Sequence, residues 1–139
     1  MSGFVHIDLA IDNHSDEGLG ETVAAVAQAA TGIAPHPDDA AMALTEALAG
    51  VLALRDSRRT LTTGNHGGLD TLHLAIAGAD PVETTRARDM FARLADAGAN
   101  GIVEWAYLDE TGPQLHRWRL DFGMLHVEVG DSIVYREVA

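Results

Sequence analysis

From Ile102 onward apolar and polar residues alternate with a period of two, and such a pattern must agree between any strands that pair. Val103, Trp105 and Tyr107 fall on one face, the turn-like Asp109-Glu110-Thr111-Gly112-Pro113 follows, and His116, Trp118 and Leu120 continue that face. Pairing Trp105 with Trp118 satisfies both segments. A tight turn at Phe122-Gly123 then sets Trp118 opposite Val127 and Leu120 opposite Leu125, and a Gly130-Asp131 turn returns the chain as Ser132 to Tyr135. The expectation is a C-terminal antiparallel meander of four short strands, with both tryptophans on the side that the flanking Val and Leu residues bury.

The same register fixes what the other side carries. Glu104, Arg117, Arg119, His126 and Glu128 gather on the polar face, with Arg117 opposite Glu128 and Arg119 between Glu104 and His126. Guanidinium forks held in this way suit a carboxylate, and an imidazole beside them titrates near neutrality, so these five residues form the candidate binding site. The competing explanation is structural, because cross-strand pairs of opposite charge are how solvated sheet faces are ordinarily built.

Upstream, Phe4 to Asp12 alternates as a strand, with Val5, Ile7, Leu9 and Ile11 on its buried face. Leu19, Val23, Val26 and Ala30 recur at helical spacing after a capping Ser15 or Asp16, and Gly32 stops the run, which predicts a helix over about 16–31. Pro37-Asp38-Asp39 opens a second helix whose stripe is Ala41, Leu44, Leu48, Val51 and Leu52. The polar run Arg55–Arg59 ends it, and Leu61–Leu69, rich in glycine, reads as an exposed loop or hairpin tip. Leu72, Leu74 and Ile76 mark a second strand, and its resemblance to the first is a weak repeat that chance explains. Asp80-Pro81-Val82-Glu83 reads as a capping box that starts a third helix, with Val82, Met90, Phe91 and Leu94 facing the core. The predicted fold is a single α+β domain over 1–139, in the order β-α-α-β-α-β-β-β-β, with a mainly antiparallel sheet and helices packed on one face.

Composition narrows the function classes. The chain has 139 residues and a net charge of −12, which would be repelled by a phosphate backbone or an anionic membrane, so neither nucleic acid nor membrane is expected as a partner. Its basic residues are all arginine, clustered at Arg55/Arg58/Arg59, Arg86/Arg88/Arg93 and Arg117/Arg119/Arg136. Heavy use of Ala, Asp and Arg without Lys suggests a GC-rich coding source of actinobacterial or phage type. No cysteine is present, which removes disulfides, thiolate ligands and a Cys nucleophile, and makes the cytoplasm the expected compartment. The N-terminal residues lack a basic n-region, and the longest low-polarity stretch, Ala40–Leu54, is too short to span a bilayer.

Motifs for chemistry are absent. Seven histidines invite a metal site, but there is no His-Glu-x-x-His, and His14, His36 and His66 fall in what read as separate loops. His6, Asp8 and His73 would converge only if the two similar strands were neighbours. Gly64-Asn65-His66-Gly67-Gly68 lacks the Lys and Ser/Thr of a phosphate loop, and no Gly-x-Ser-x-Gly elbow activates a serine. Asp38-Asp39 and Asp109-Glu110 have structural causes in a helix start and a turn. The expectation is therefore no catalytic residue, no metal and no cofactor, in a small acidic binding protein of the immunity, antitoxin or anti-defence type. Its expected partner is another protein with a basic surface, or a second copy of the chain in a homodimer. The alternative is a small enzyme or ligand-binding domain that uses the polar meander face.

Overall fold

The computed structural model describes residues 3–109 and 112–130. The chain runs β1 (Gly3–Asp12), α1 (Leu19–Thr31), α2 (Ala40–Val51), β2 (Arg55–His66), β3 (Leu69–Ala79), α3 (Thr85–Asp96), β4 (Asn100–Asp109), β5 (Gly112–Asp121) and β6 (Met124–Gly130). The strands form one six-stranded sheet in the order β2-β3-β1-β4-β5-β6, antiparallel at every pairing. This is the α+β class with a mainly antiparallel sheet that the alternation implies. The expected strand over Ser132–Tyr135 lies outside the described residues.

One face of the sheet is the core. Val5, Ile7, Leu9 and Ile11 of β1, Leu72, Leu74 and Ile76 of β3, Val103 and Trp105 of β4, and Trp118 and Leu120 of β5 are each no more than 3% exposed. They pack in one cluster with Val23 and Val26 of α1, Leu44 and Leu48 of α2, and Phe91 and Leu94 of α3. Each such side chain contributes about 1.5–3 kcal/mol by leaving water, so this face dominates the stability of the fold. On the opposite face Phe4, His6 and Asp8 of β1 are exposed, and none of the helices among the described residues packs there.

Local chemistry sets the helix ends. Gly32 takes a left-handed conformation (φ 80°) after α1, and its N–H binds Gln28 O. Arg93 of α3 donates from Nε and Nη2 to Ala30 O, at 3.1 and 3.0 Å, and so satisfies a C-terminal carbonyl of α1. The start of α1 differs from expectation: its N-cap is Gly18, while Ser15 bonds with Asn13 and Thr22 in the preceding turn. Pro37–Asp39 forms a single 3₁₀ turn ahead of α2, capped by His36 Nδ1, which accepts from Asp38 N–H.

The expected capping box at Asp80 is not used either. Asp80 has a positive φ of 53°, its N–H donates to Gly3 O, and Val82 N–H donates to Leu52 O, so these residues form a non-helical connection tied to β1 and to the end of α2. Thr84 is the cap instead, its Oγ1 accepting from Ala87 N–H at 3.0 Å.

The element missing from the sequence reading is β2. The Arg55–Arg59 run and the glycine-rich stretch form a 12-residue edge strand paired along β3, with the loop reduced to Gly67-Gly68 between paired His66 and Leu69. Both loop glycines have positive φ, 62° and 88°, as a two-residue hairpin turn of the primed type demands. The strand is exposed on both faces along most of its length, so it needs no apolar alternation; its arginines and a register shift between Arg55 and Arg58 protect the open edge.

Candidate functional site

The helix-free face of the meander holds all five predicted residues. In β4 and β5, Val103 pairs with Trp118 and Trp105 with His116, because Asp109 pairs directly with Gly112 and the connection is tighter than the five-residue turn expected. The tryptophans are therefore diagonal neighbours and not opposite partners, with ring centroids 4.7 Å apart, edge to face. A register shift of two residues leaves each side chain on its original face, so the polar set stays together.

Across the sheet the order is His6, Glu104, Arg117, Glu128 in one row and Asp8, Ile102, Arg119, His126 in the next. Arg117 thus stands opposite Glu128 as expected, whereas Arg119 stands between Ile102 and His126 and not beside Glu104. Arg117 Nη2 donates to Glu128 Oε2 at 3.2 Å, Arg119 Nε donates to Glu128 Oε1 at 3.4 Å, and Arg119 Nη1 donates to Asp121 Oδ2 at 3.2 Å. Glu128 is the shared acceptor. The hydrogen bond from Arg117 holds its carboxyl below the ordinary value of 4.5; partial desolvation opposes this, and the charge of Arg117 and the bond and charge of Arg119 add to it.

The sign of the linkage follows. A carboxyl whose folded value is depressed adds stability above its unfolded value of 4.5, and loses it as pH falls through the depressed value. At 39% side-chain exposure the pair is solvent-screened. Glu128→Gln is accordingly expected to cost only about 0.5 kcal/mol at pH 7 in urea unfolding, and the difference from wild type should vanish on acidification below the depressed value. A gap that persists there would mean that the loss is not electrostatic.

Three surface hollows lie away from these five residues. One lies between α1 and α2 against Ala27, Ile33, Pro35 and Ala43, one beside Glu83, Thr84 and Arg88, and one beside Leu19, Thr63 and Asp70. With guanidinium groups of Arg117 and Arg119 bound to Glu128 and Asp121, the meander face has the chemistry of a charged, internally paired surface.

A second cluster, on the helix side, was not apparent from the sequence. Glu83 accepts from Arg88 Nη2 at 2.7 Å and its other oxygen lies 3.9 Å from His116 Nδ1. The imidazole stacks on Trp105 with ring centroids 5.5 Å apart and planes 9° apart, and meets Tyr107 edge-on. The Arg88 guanidinium lies 5.9 Å from the centroid of the Trp118 ring. Burial, and then the charge of Glu83, raises the Tyr107 phenol above 10.0, so it stays protonated at neutral pH. Glu83 and His116 are far apart in sequence, and only the packing of α3 against β5 joins them. The cluster ties the α3 entry to the sheet.

β1 and β3 are neighbours, but antiparallel pairing puts His73 opposite Ala10 and His6 opposite Ala77, which separates the His6, Asp8 and His73 set. Among the described residues no group of three or more His, Cys, Asp or Glu side chains converges as metal ligands, and no helix is long and apolar enough to cross a membrane. No protein-family model, no curated protein and no solved structure matches the chain.

Proposed function

We infer that the chain is a non-enzymatic protein-binding module, of the immunity, antitoxin or anti-defence type, that docks the helix-free face of its sheet on a basic surface of another protein. The observation that carries this reading is the breadth of that face. Six strands about 4.8 Å apart and about ten residues long offer an area of about 800 Å², which is one side of a standard-sized interface.

Its charge supports the choice of occupant. Asp8, Asp12, Glu104, Asp121 and Glu128 share the face with Arg58, Arg117 and Arg119, so carboxylates exceed guanidiniums locally as they do in the whole chain. Complementary charge gives such a surface specificity and a fast, salt-sensitive on-rate. The alternative, a ligand-binding or enzymatic site at Glu104, Arg117, Arg119, His126 and Glu128, would require a small anion to displace Glu128 from both arginines.

The test is capture from a host lysate, with native mass spectrometry, using two variants of equal charge change. Asp8→Lys with Glu104→Gln alters the sheet face, and Glu21→Lys with Asp96→Asn alters the exposed helix side. The wild-type chain and the helix-side variant are expected to retain one stoichiometric partner that the sheet-face variant loses, with retention falling as salt rises. Equal retention by both variants, or no stoichiometric partner, would refute the proposal. A thermal shift with small carboxylates or nucleotides that Arg117→Gln abolishes would favour the ligand site instead.

A further inference from the structure

The β2–β3 hairpin brings two imidazoles together at the sheet's free edge. His66 pairs with Leu69, Gly64 with Thr71, and Thr62 with His73, so the two histidines flank the Gly64–Thr71 pair. The His66 ring lies over the strand at Gly64, where a Cβ would meet His66 Nε2 at 3.5 Å in ordinary van der Waals contact, so only a side chain that reaches beyond Cβ would crowd the ring. The ring meets His73 edge-on, with centroids 5.4 Å apart and planes at 87°, and the two Nε2 atoms stand 3.4 Å apart.

That separation has a specific meaning. A hydrogen bond between protein groups that involves an N–H is normally about 2.7–3.2 Å long, so 3.4 Å is a loose direct contact. Two nitrogens bound at about 2.0–2.1 Å to one tetrahedral ion stand about 3.3–3.4 Å apart. The imidazole pair therefore already has the spacing of two vertices of a coordination tetrahedron. His66 is exposed and His73 half-buried, so solvent reaches the point between them.

We propose that His66 and His73 form an open two-histidine site for a divalent transition-metal ion, of the class Zn²⁺, Ni²⁺ and Cu²⁺, whose remaining positions are filled by water. Imidazole nitrogen selects these ions over Mg²⁺ and Ca²⁺, which take oxygen ligands. With only two protein ligands the site keeps free positions, and a bound ion places local positive charge at one end of an acidic surface. By register the site lies on the same helix-free face as the docking surface proposed above, at its β2 edge, but it is argued from the imidazole geometry alone and its Zn²⁺ test does not depend on that reading.

The experiment is a Zn²⁺ titration of the full chain, followed by calorimetry and by the histidine ring resonances in NMR. The expected result is saturable one-to-one binding, with shifts at His66 and His73, competition by Ni²⁺ and none by Mg²⁺. His66→Ala and His73→Ala should each weaken binding at least fivefold, and His14→Ala should leave it unchanged. Gly64→Val, which keeps both imidazoles but fills the space over the strand, should also weaken it and serves if a histidine variant does not fold. Absence of saturable Zn²⁺ binding, or a loss below fivefold in either folded histidine variant, would overturn the assignment.

Discussion

Replacing Trp118 by alanine is expected to remove about 3–5 kcal/mol of folding stability, read as a fall in the urea midpoint at unchanged slope. Trp118 is fully buried and is the largest of the fully buried side chains. Its ring meets Phe91 of α3 edge-on at 5.4 Å and Trp105 at 4.7 Å, so it joins the helix layer to the meander. The cavity left by alanine would sit where α3 packs on β5, and both neighbours would lose their aromatic contact. Trp118→Phe separates two components of this loss. The indole Nε1–H is buried with no hydrogen-bond partner among the described residues, and phenylalanine removes that donor while keeping most of the apolar area. Its expected cost is about 1 kcal/mol. A Trp118→Phe loss as large as that of alanine would mean that the indole N–H is bonded after all.

Gly101→Ala is the second large effect, with an expected cost of about 3 kcal/mol in the same measurement. Gly101 sits in β4 opposite Leu9 with φ 142°, and a Cβ there would come within 2.1 Å of the Asp8 carbonyl oxygen and 2.9 Å of Leu9 Cα. The obstacle is backbone on the central strand β1, which cannot swing aside as a side chain would. Gly32→Ala provides the contrast. Gly32 also has a positive φ, 80°, but nothing lies within 4 Å of its missing Cβ, so only the conformational cost of about 1 kcal/mol applies. Equal losses at the two positions would show that β4 can move away from β1.

A period of two survives any even error in register, so the alternation alone puts Trp118 on the buried face and Glu104, Arg117, Arg119, His126 and Glu128 together on the other, although the true register pairs Trp105 with His116, two residues from Trp118. The length of the β4–β5 connection decides that register, and the string Asp109–Pro113 fits more than one turn. β2 was hidden because an edge strand exposed on both faces carries no apolar signal beyond Leu61. Only its Thr60, Thr62 and Thr63 favour a strand, and Gly64, Gly67 and Gly68 just after them read as loop. The loss of β2 also hid the His66–His73 contact, since His66 seemed to belong to a separate loop. Asp80-Pro81-Val82-Glu83 has the letters of a helix start, but Leu52 O takes the Val82 N–H and Glu83 turns to Arg88 and His116. Local sequence does not contain those partners.

The claim that the helix-free sheet face is the docking surface meets its most direct test in carbodiimide footprinting of the captured complex, site by site. Asp8 and Glu104 should be protected severalfold relative to the free chain, while Glu21 and Asp96 on the helix side label at the same rate in both. Protection of Glu21 and Asp96 with Asp8 and Glu104 unchanged would contradict the account and move the interface to the helices.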